Sequence, residues 1–206
     1  AGGIVSFYQY MDWSLNHPGH GSYSSGKLSI GKKGDFVTSP SLGDDFAEIL
    51  CIQLAEWFEQ ILNSQQIDTP LTLLELGPGE GHLIFSILNE FEKNFKNLLP
   101  KIQIILVEPN LELRARQKKY LSKFSHLSIF WKTFEELKLN PVNGIVIANE
   151  VLDALPFERI IFSKNKFYRQ AVAIETINSK KFLRSKTLAI NESLDFYLSE
   201  LIQNYN

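Results

Sequence analysis

Apolar and polar positions along this chain switch between a helical and a strand period, and the switches mark its elements. Apolar residues recur at helical spacing from Ile4 to Leu15 and stop at His17-Pro18-Gly19. Residues 16–45 are rich in Gly, Ser and Pro and carry no period, which predicts a long loop of the kind compact domains keep for function. Ser39 or Ser41 is placed to cap a helix reaching about Asn63, with Phe46, Ile49, Leu50, Leu54, Trp57, Phe58 and Ile61 as its apolar stripe. After a turn at Asp68-Thr69-Pro70, the run Leu71 to Glu75 predicts a buried strand, and residues 83–98 a helix with Ile87, Leu88, Phe91 and Phe95 on one face. Ile102 to Glu108 predicts a second strand, Asn110 caps a helix over 111–121, and Leu127–Trp131 and Gly144–Asn149 predict a third and a fourth strand. Strands alternating with helices predict an α/β domain built on a mostly parallel, doubly wound sheet. Arg159–Phe162 and Phe167–Ile174 predict an antiparallel pair turning at Asn165, and a last helix is expected over about 192–205. The expected division is an N-terminal helical and loop cap over residues 1–64 and the sheet domain over 65–206.

The stretch Leu73-Leu-Glu-Leu-Gly-Pro-Gly-Glu-Gly81 adds chemistry to that outline. An apolar run ends in a carboxylate, glycines fall at 77, 79 and 81, and an amphipathic helix starts at once. Glycines let backbone take positive φ and let a ligand lie against bare main chain at a helix N-terminus. A dinucleotide fingerprint would need a glycine at position 82, where the chain has His82, and a phosphate loop would need a lysine that is absent here. The pattern Glu-x-Gly-x-Gly-x-Gly instead resembles the first motif of S-adenosylmethionine (SAM) methyltransferases, which implies Glu75, Gly77, Pro78, Gly79 and Gly81 as cofactor-binding residues; its other reading is an ordinary glycine-rich turn. Glu108 ends the second strand, where a carboxylate can accept from both hydroxyls of a ribose; its other reading is a solvated turn residue or a partner for Lys101 or Arg114. Thr133-Phe134 stands at the third strand's end, where an adenine is usually held.

Asn149-Glu150-Val151-Leu152-Asp153-Ala154-Leu155-Pro156 follows the fourth strand. Asn149 is a cofactor-binding candidate. Glu150 and Asp153 are the catalytic candidates, since paired carboxylates can orient a guanidinium fork and take its proton; alternatively Asp153 caps a turn and Glu150 faces water. The loop Gly31 to Pro40 gathers Gly34, Asp35, Phe36, Thr38 and Ser39, which could close over a ligand or merely lead into a helix cap.

Composition narrows the classes. With 206 residues, 44% hydrophobic and 21% charged, the chain reads as a globular domain, and a formal charge of −2 supplies no basic excess for nucleic acid. No apolar run is long enough for a membrane span. The single cysteine, Cys51, sits among apolar residues and is expected to be a buried, inert thiol. His17 and His20 lack companions for a metal site, and none is expected. A cytoplasmic or organelle-matrix location is the default.

Five stretches together resemble the MidA-like family: 17–26, 34–40, 75–81, Leu106-Val-Glu-Pro109 and Ala148 to Pro156. The resemblance implies a Rossmann-like class I SAM-dependent methyltransferase, incomplete at its C-terminal end because family members are longer and the closing strands of the sheet are not evident. It implies residues 34–39 as a loop over the cofactor. Its mitochondrial members act as a complex I assembly factor and methylate an arginine on a complex I core subunit, which gives the expected partner as a protein substrate of that kind and the expected compartment as bacterial cytoplasm or mitochondrial matrix. Glu80 departs from the arginine many members carry there. A SAM-binding assembly protein without turnover, or a methyltransferase of small molecules, are the alternatives.

Overall fold

The computed structural model describes residues 3–23, 44–64 and 70–205, and the helix cap expected at Ser39 or Ser41 lies outside them. The chain forms two compact units, residues 28–153 and residues 1–27 with 154–206, so the units cut the chain differently from the expected boundary at residue 64.

The larger unit is the α/β sheet. Four parallel strands, β2 (Leu71–Leu76), β3 (Ile102–Val107), β4 (Ile129–Lys132) and β5 (Gly144–Ile147), lie in the order β4-β3-β2-β5. Leu73 is aligned with Ile104 on one side and Ile145 on the other, and Ile105 with Phe130. Strand pleating sends alternate side chains to opposite faces, and both faces of the central strands are apolar. Leu71, Leu73, Ile104 and Leu106 meet Cys51, Leu54 and Phe58 of α2 (Asp45–Ser64) and Ile84, Ile87, Leu88 and Phe91 of α3 (His82–Asn94), all buried. Leu74, Ile105 and Val107 face the other way, toward Leu137 of α5 (Phe134–Leu139) and Val142. Helices on both faces make the sheet the expected doubly wound, Rossmann-like α/β arrangement.

The stripe expected on α2 is only partly inward. Leu54 and Phe58 are fully buried, whereas Phe46, Trp57 and above all Ile49, 72% exposed, face out. Helix α3 ends at Asn94, earlier than the expected 98, with Phe95 as its C-cap. Helix α4 (Leu111–Tyr120) starts as expected, because the Asn110 side chain accepts from the backbone N–H of Glu112 and Leu113. Helix α5 was not expected. A capping box starts it: the Thr133 hydroxyl accepts from Glu136 N and the Glu136 carboxylate from Thr133 N.

The smaller unit is antiparallel. β7 (Lys166–Ile177) pairs β8 (Lys180–Ala189) along one edge, while β6 (Ile160–Ser163) and β1 (Ile4–Ser6) follow one another along the other. Both hairpins have two-residue turns at positive φ, Lys164-Asn165 and Asn178-Ser179, the backbone that matches strand twist. The N-terminal segment is therefore a short strand followed by a helix, α1 (Phe7–Asn16), rather than one helix from Ile4; Ser6 caps α1 by accepting from Gln9 N at 3.1 Å. Phe7 stacks near Phe157, with ring centres 5.6 Å apart, and carries the Arg159 guanidinium over its face. The last helix, α6, spans Glu192–Tyr205.

Candidate functional site

The order of the parallel strands reverses between β2 and β5, and in such sheets ligands settle outside the carboxyl ends of the strands at that point. Those ends carry the residues singled out above. β2 delivers Glu75 and then the turn Gly77-Pro78-Gly79-Glu80-Gly81; β3 delivers Glu108; β5 delivers Asn149 and Glu150.

The glycine turn has the shape its composition predicts. Gly77, Gly79 and Gly81 have φ of 58°, 57° and 87°, a region that costs ordinary residues about 1–2 kcal/mol. The turn is tied down by Gly77 N–H donating to Val107 O at 3.1 Å and Gly81 N–H donating to Pro78 O at 2.8 Å. Gly81 is the N-cap of α3 and has no side chain to satisfy the helix's first amides, which stay available for an anionic group. A Cβ at Gly77 would sit 3.2 Å from a methyl of Val151, so the segment after β5 lies directly against the turn. Glu80 forms an ion pair with Arg116 at 3.2 Å.

Glu75 is 3% exposed, and its Oε2 has no hydrogen-bond partner among the described residues. Burial pushes its carboxyl from 4.5 up to about 8. A buried acid with one unused oxygen beside a glycine turn is a place for a cation such as the ammonium of an amino-acid ligand. Glu108 is also buried, not a solvated turn residue. Its Oε1 accepts from Asn110 N–H at 2.8 Å and its Oε2 from the Gln117 amide at 3.4 Å. Burial raises its carboxyl pKa, and those two donors together with the Arg114 charge pull it back. Arg114 itself donates to the Glu108 backbone carbonyl, not to the carboxylate. Each carboxylate oxygen offers two acceptor directions, so Glu108 keeps capacity for a pair of vicinal hydroxyls.

Glu150 and Asp153 are exposed, and among the described residues neither has a hydrogen bond or ion pair. Asp153 sits on a single 3-10 turn, Leu152–Ala154. Glu150 has φ of 52°, a strained value for a side-chain-bearing residue, of the sort that collects at functional sites. Asn149 is half-buried between β5 and that kink. Thr133 spends its hydroxyl on capping α5. Gly34, Asp35, Phe36, Thr38 and Ser39 lie outside the described residues. Cys51 is buried, its thiol pushed up to about 12 chiefly by that burial, and is inert. Among the described residues no helix is long and apolar enough to cross a membrane.

The sequence gives no sign of Gln117, and it offers Arg114 only as an alternative partner for Glu108. The sequence of α4, Leu-Glu-Leu-Arg-Ala-Arg-Gln-Lys-Lys-Tyr, is polar all round, so nothing in it distinguishes the one glutamine that turns inward.

The chain is similar to known methyltransferases. A protein arginine methyltransferase NDUFAF7, mitochondrial, from Danio rerio is 30% identical over 203 residues, 88% of this chain and 46% of that protein. The Bos taurus protein of the same name is 35% identical over 177 residues, 76% of this chain and 39% of that one. A crystal structure from Burkholderia thailandensis bound to S-adenosyl-homocysteine superposes with a TM-score of 0.73 at 26% identity, over 96% of this chain and 49% of that one. The chain thus spans about half the length, or less, of the relatives it matches. Residues 49–206 match the family model described as "Putative S-adenosyl-L-methionine-dependent methyltransferase", more than half of the chain, and the resemblance carried by the five motifs holds: this chain belongs to that family of SAM-dependent methyltransferases.

Proposed function

We propose that the chain binds SAM at the carboxyl ends of β2, β3 and β5 and serves an enzyme that methylates an arginine of a protein. The observation that carries this reading is the pairing of Glu75, buried with an unused oxygen, and a three-glycine turn that exposes helix amides beside it. The turn and Glu75 receive the carboxylate and ammonium of the amino-acid end. Glu108 receives the ribose hydroxyls, and Asn149 borders the site from β5. Residues 34–39 are assigned to it from the sequence alone. When bound, SAM supplies an electrophilic methyl group on a sulfonium.

Glu150 and Asp153 then act on the acceptor. Their unpaired carboxylates hold the guanidinium fork by charge-assisted hydrogen bonds and take the proton that nitrogen loses as it gains the methyl. Transfer of this kind needs alignment more than chemistry, so fixed placement of the acceptor supplies much of the acceleration. The names of the relatives support a protein arginine as acceptor and the mitochondrial matrix as the compartment, and the family resemblance supports a respiratory complex I subunit as the partner.

Calorimetry tests the cofactor: SAM and S-adenosylhomocysteine should bind and NAD should not. Labelled methyl transfer to a cell extract tests the activity. Glu150→Ala and Asp153→Ala should keep cofactor affinity and lose transfer. Unchanged transfer in both removes the catalytic assignment and favours the second reading, a SAM-binding assembly protein, which the exposure of both residues also fits.

A further inference from the structure

Gln117 is the only buried residue of α4, and it is completely buried. A primary amide taken out of water costs free energy unless its donors and acceptor are used. Here they are. Nε2 donates to Gly79 O at 2.7 Å and lies 3.4 Å from Glu108 Oε2, while Oε1 accepts from Trp131 Nε1 at 2.8 Å. The indole is a donor only, so it fixes which way the amide points. The stem of the side chain lies 3.7 Å from where a Cβ on Gly81 would be. One side chain therefore joins the turn after β2, the acid after β3 and the ring on β4.

We propose that Gln117 is a positioning residue that sets the spacing between the glycine turn and the Glu108 carboxylate, and so fixes the distance from amino-acid end to sugar in the ligand the site accepts. This rests on the SAM-site reading given above. Gln117 touches no ligand itself in this scheme; it holds the Gly79 carbonyl and one Glu108 oxygen with a single NH2 group and leaves the other Glu108 directions for hydroxyls. Replacing it with a group that cannot donate leaves Gly79 O and Glu108 Oε2 unpaired in a dry place and frees both to drift.

The test is S-adenosylhomocysteine binding to the intact chain, measured by calorimetry from pH 6 to pH 8.5 for wild type, Gln117→Met and Gln117→Glu, each checked for native near-ultraviolet dichroism. Gln117→Met should weaken binding at least tenfold, and the loss should shrink to under threefold for a 2′-deoxyribose analogue, which asks less of Glu108. Gln117→Glu should be weak at pH 8.5, where two carboxylates would face one another, and should recover toward wild type at pH 6. A protonated carboxyl there can again donate to Gly79 and accept from Trp131. That pH-dependent rescue, expressed as a ratio to wild type, carries the test even where Gln117→Met does not fold, and a loss through packing alone would not produce it. Wild type that binds while Gln117→Glu keeps a constant ratio across the range overturns the positioning role and leaves the site standing. Wild type that fails to bind S-adenosylhomocysteine removes the site and this inference with it.

Discussion

Glu75 offers the most direct test of the site, because its environment makes a statement about stability that needs no substrate. The acid sits on β2, aligned with Leu106 of β3 and Ile147 of β5, and its neighbours in the strand are Leu74 and Leu76. Burial moves its pKa from 4.5 to about 8. Between those values the unfolded chain has released the proton and the folded chain keeps it, so folding takes up a proton and stability falls as pH rises. The slope from this group is at most about 1.4 kcal/mol per pH unit. Across the whole window the displacement corresponds to an upper limit of roughly 5 kcal/mol, which water entry or relaxation would reduce. Above pH 8 the folded form ionises as well and the slope from Glu75 vanishes.

Glu75→Gln removes the ionisation while keeping the shape. Glutamine brings its own cost for an unpaired amide, but that cost does not vary with pH, so the difference between the two proteins isolates the carboxyl. Urea unfolding at pH 5, 6, 7 and 8 should show the variant gaining on wild type by about 1 kcal/mol per unit. Saturating S-adenosylhomocysteine should flatten the wild-type slope, since a bound ammonium near the acid would lower its pKa and release the proton on binding. Parallel profiles for the two unliganded proteins would refute the reasoning: Glu75 would then be an ordinary ionised acid with water on its second oxygen.

Other changes probe the neighbouring parts. Glu150→Gly should stabilise the fold by about 0.5–1 kcal/mol, the relief of a positive φ less the extra freedom of glycine in the unfolded chain, while transfer activity falls; thermal melts and methyl-transfer assays read the two effects separately. Gly79→Val should lower cofactor affinity at least tenfold, through a strain of roughly 1–3 kcal/mol in the turn and a branched side chain where the ligand meets the main chain; an unchanged calorimetric affinity would take the turn out of the site. Gly77→Ala should cost about 1–2 kcal/mol in urea unfolding, because the new methyl combines a left-handed φ with a close approach to Val151. Phe91→Ala, in the fully buried layer between α3 and the sheet, should cost about 3–5 kcal/mol in the same measurement.

What could be read from the sequence follows from how local each signal is. The four parallel strands announced themselves because they are apolar on both faces, and a short apolar run bounded by turn residues has few other fates in an α/β chain. The glycine turn was legible because positive φ restricts composition at single positions. The hairpin at Lys164-Asn165 was visible through its asparagine, whereas β8 was not foreseen. Its strand is largely exposed and studded with lysine, so no apolar face marks it, and pairing with β7 along ten residues supplies what local pattern does not.

What the sequence leaves open at Glu108 has one cause as well. Glu108 was assigned correctly to the strand end, but whether it faced water or the interior depended on α4, a helix whose own sequence has no apolar stripe. Helix α4 is held by what its two inward polar residues reach, Gln117 to Gly79, Glu108 and Trp131, and Arg114 to the Glu108 carbonyl. Those partners lie 6 to 38 residues away in sequence, beyond any periodicity argument. Thr133 illustrates the converse: its hydroxyl satisfies a helix terminus, because a hydroxyl three residues before a glutamate finds its partner locally. Polar residues with a local partner tend to be structural, whereas Glu75 Oε2, buried and without a hydrogen-bond partner among the described residues, is the kind of exception that asks for an explanation beyond the fold.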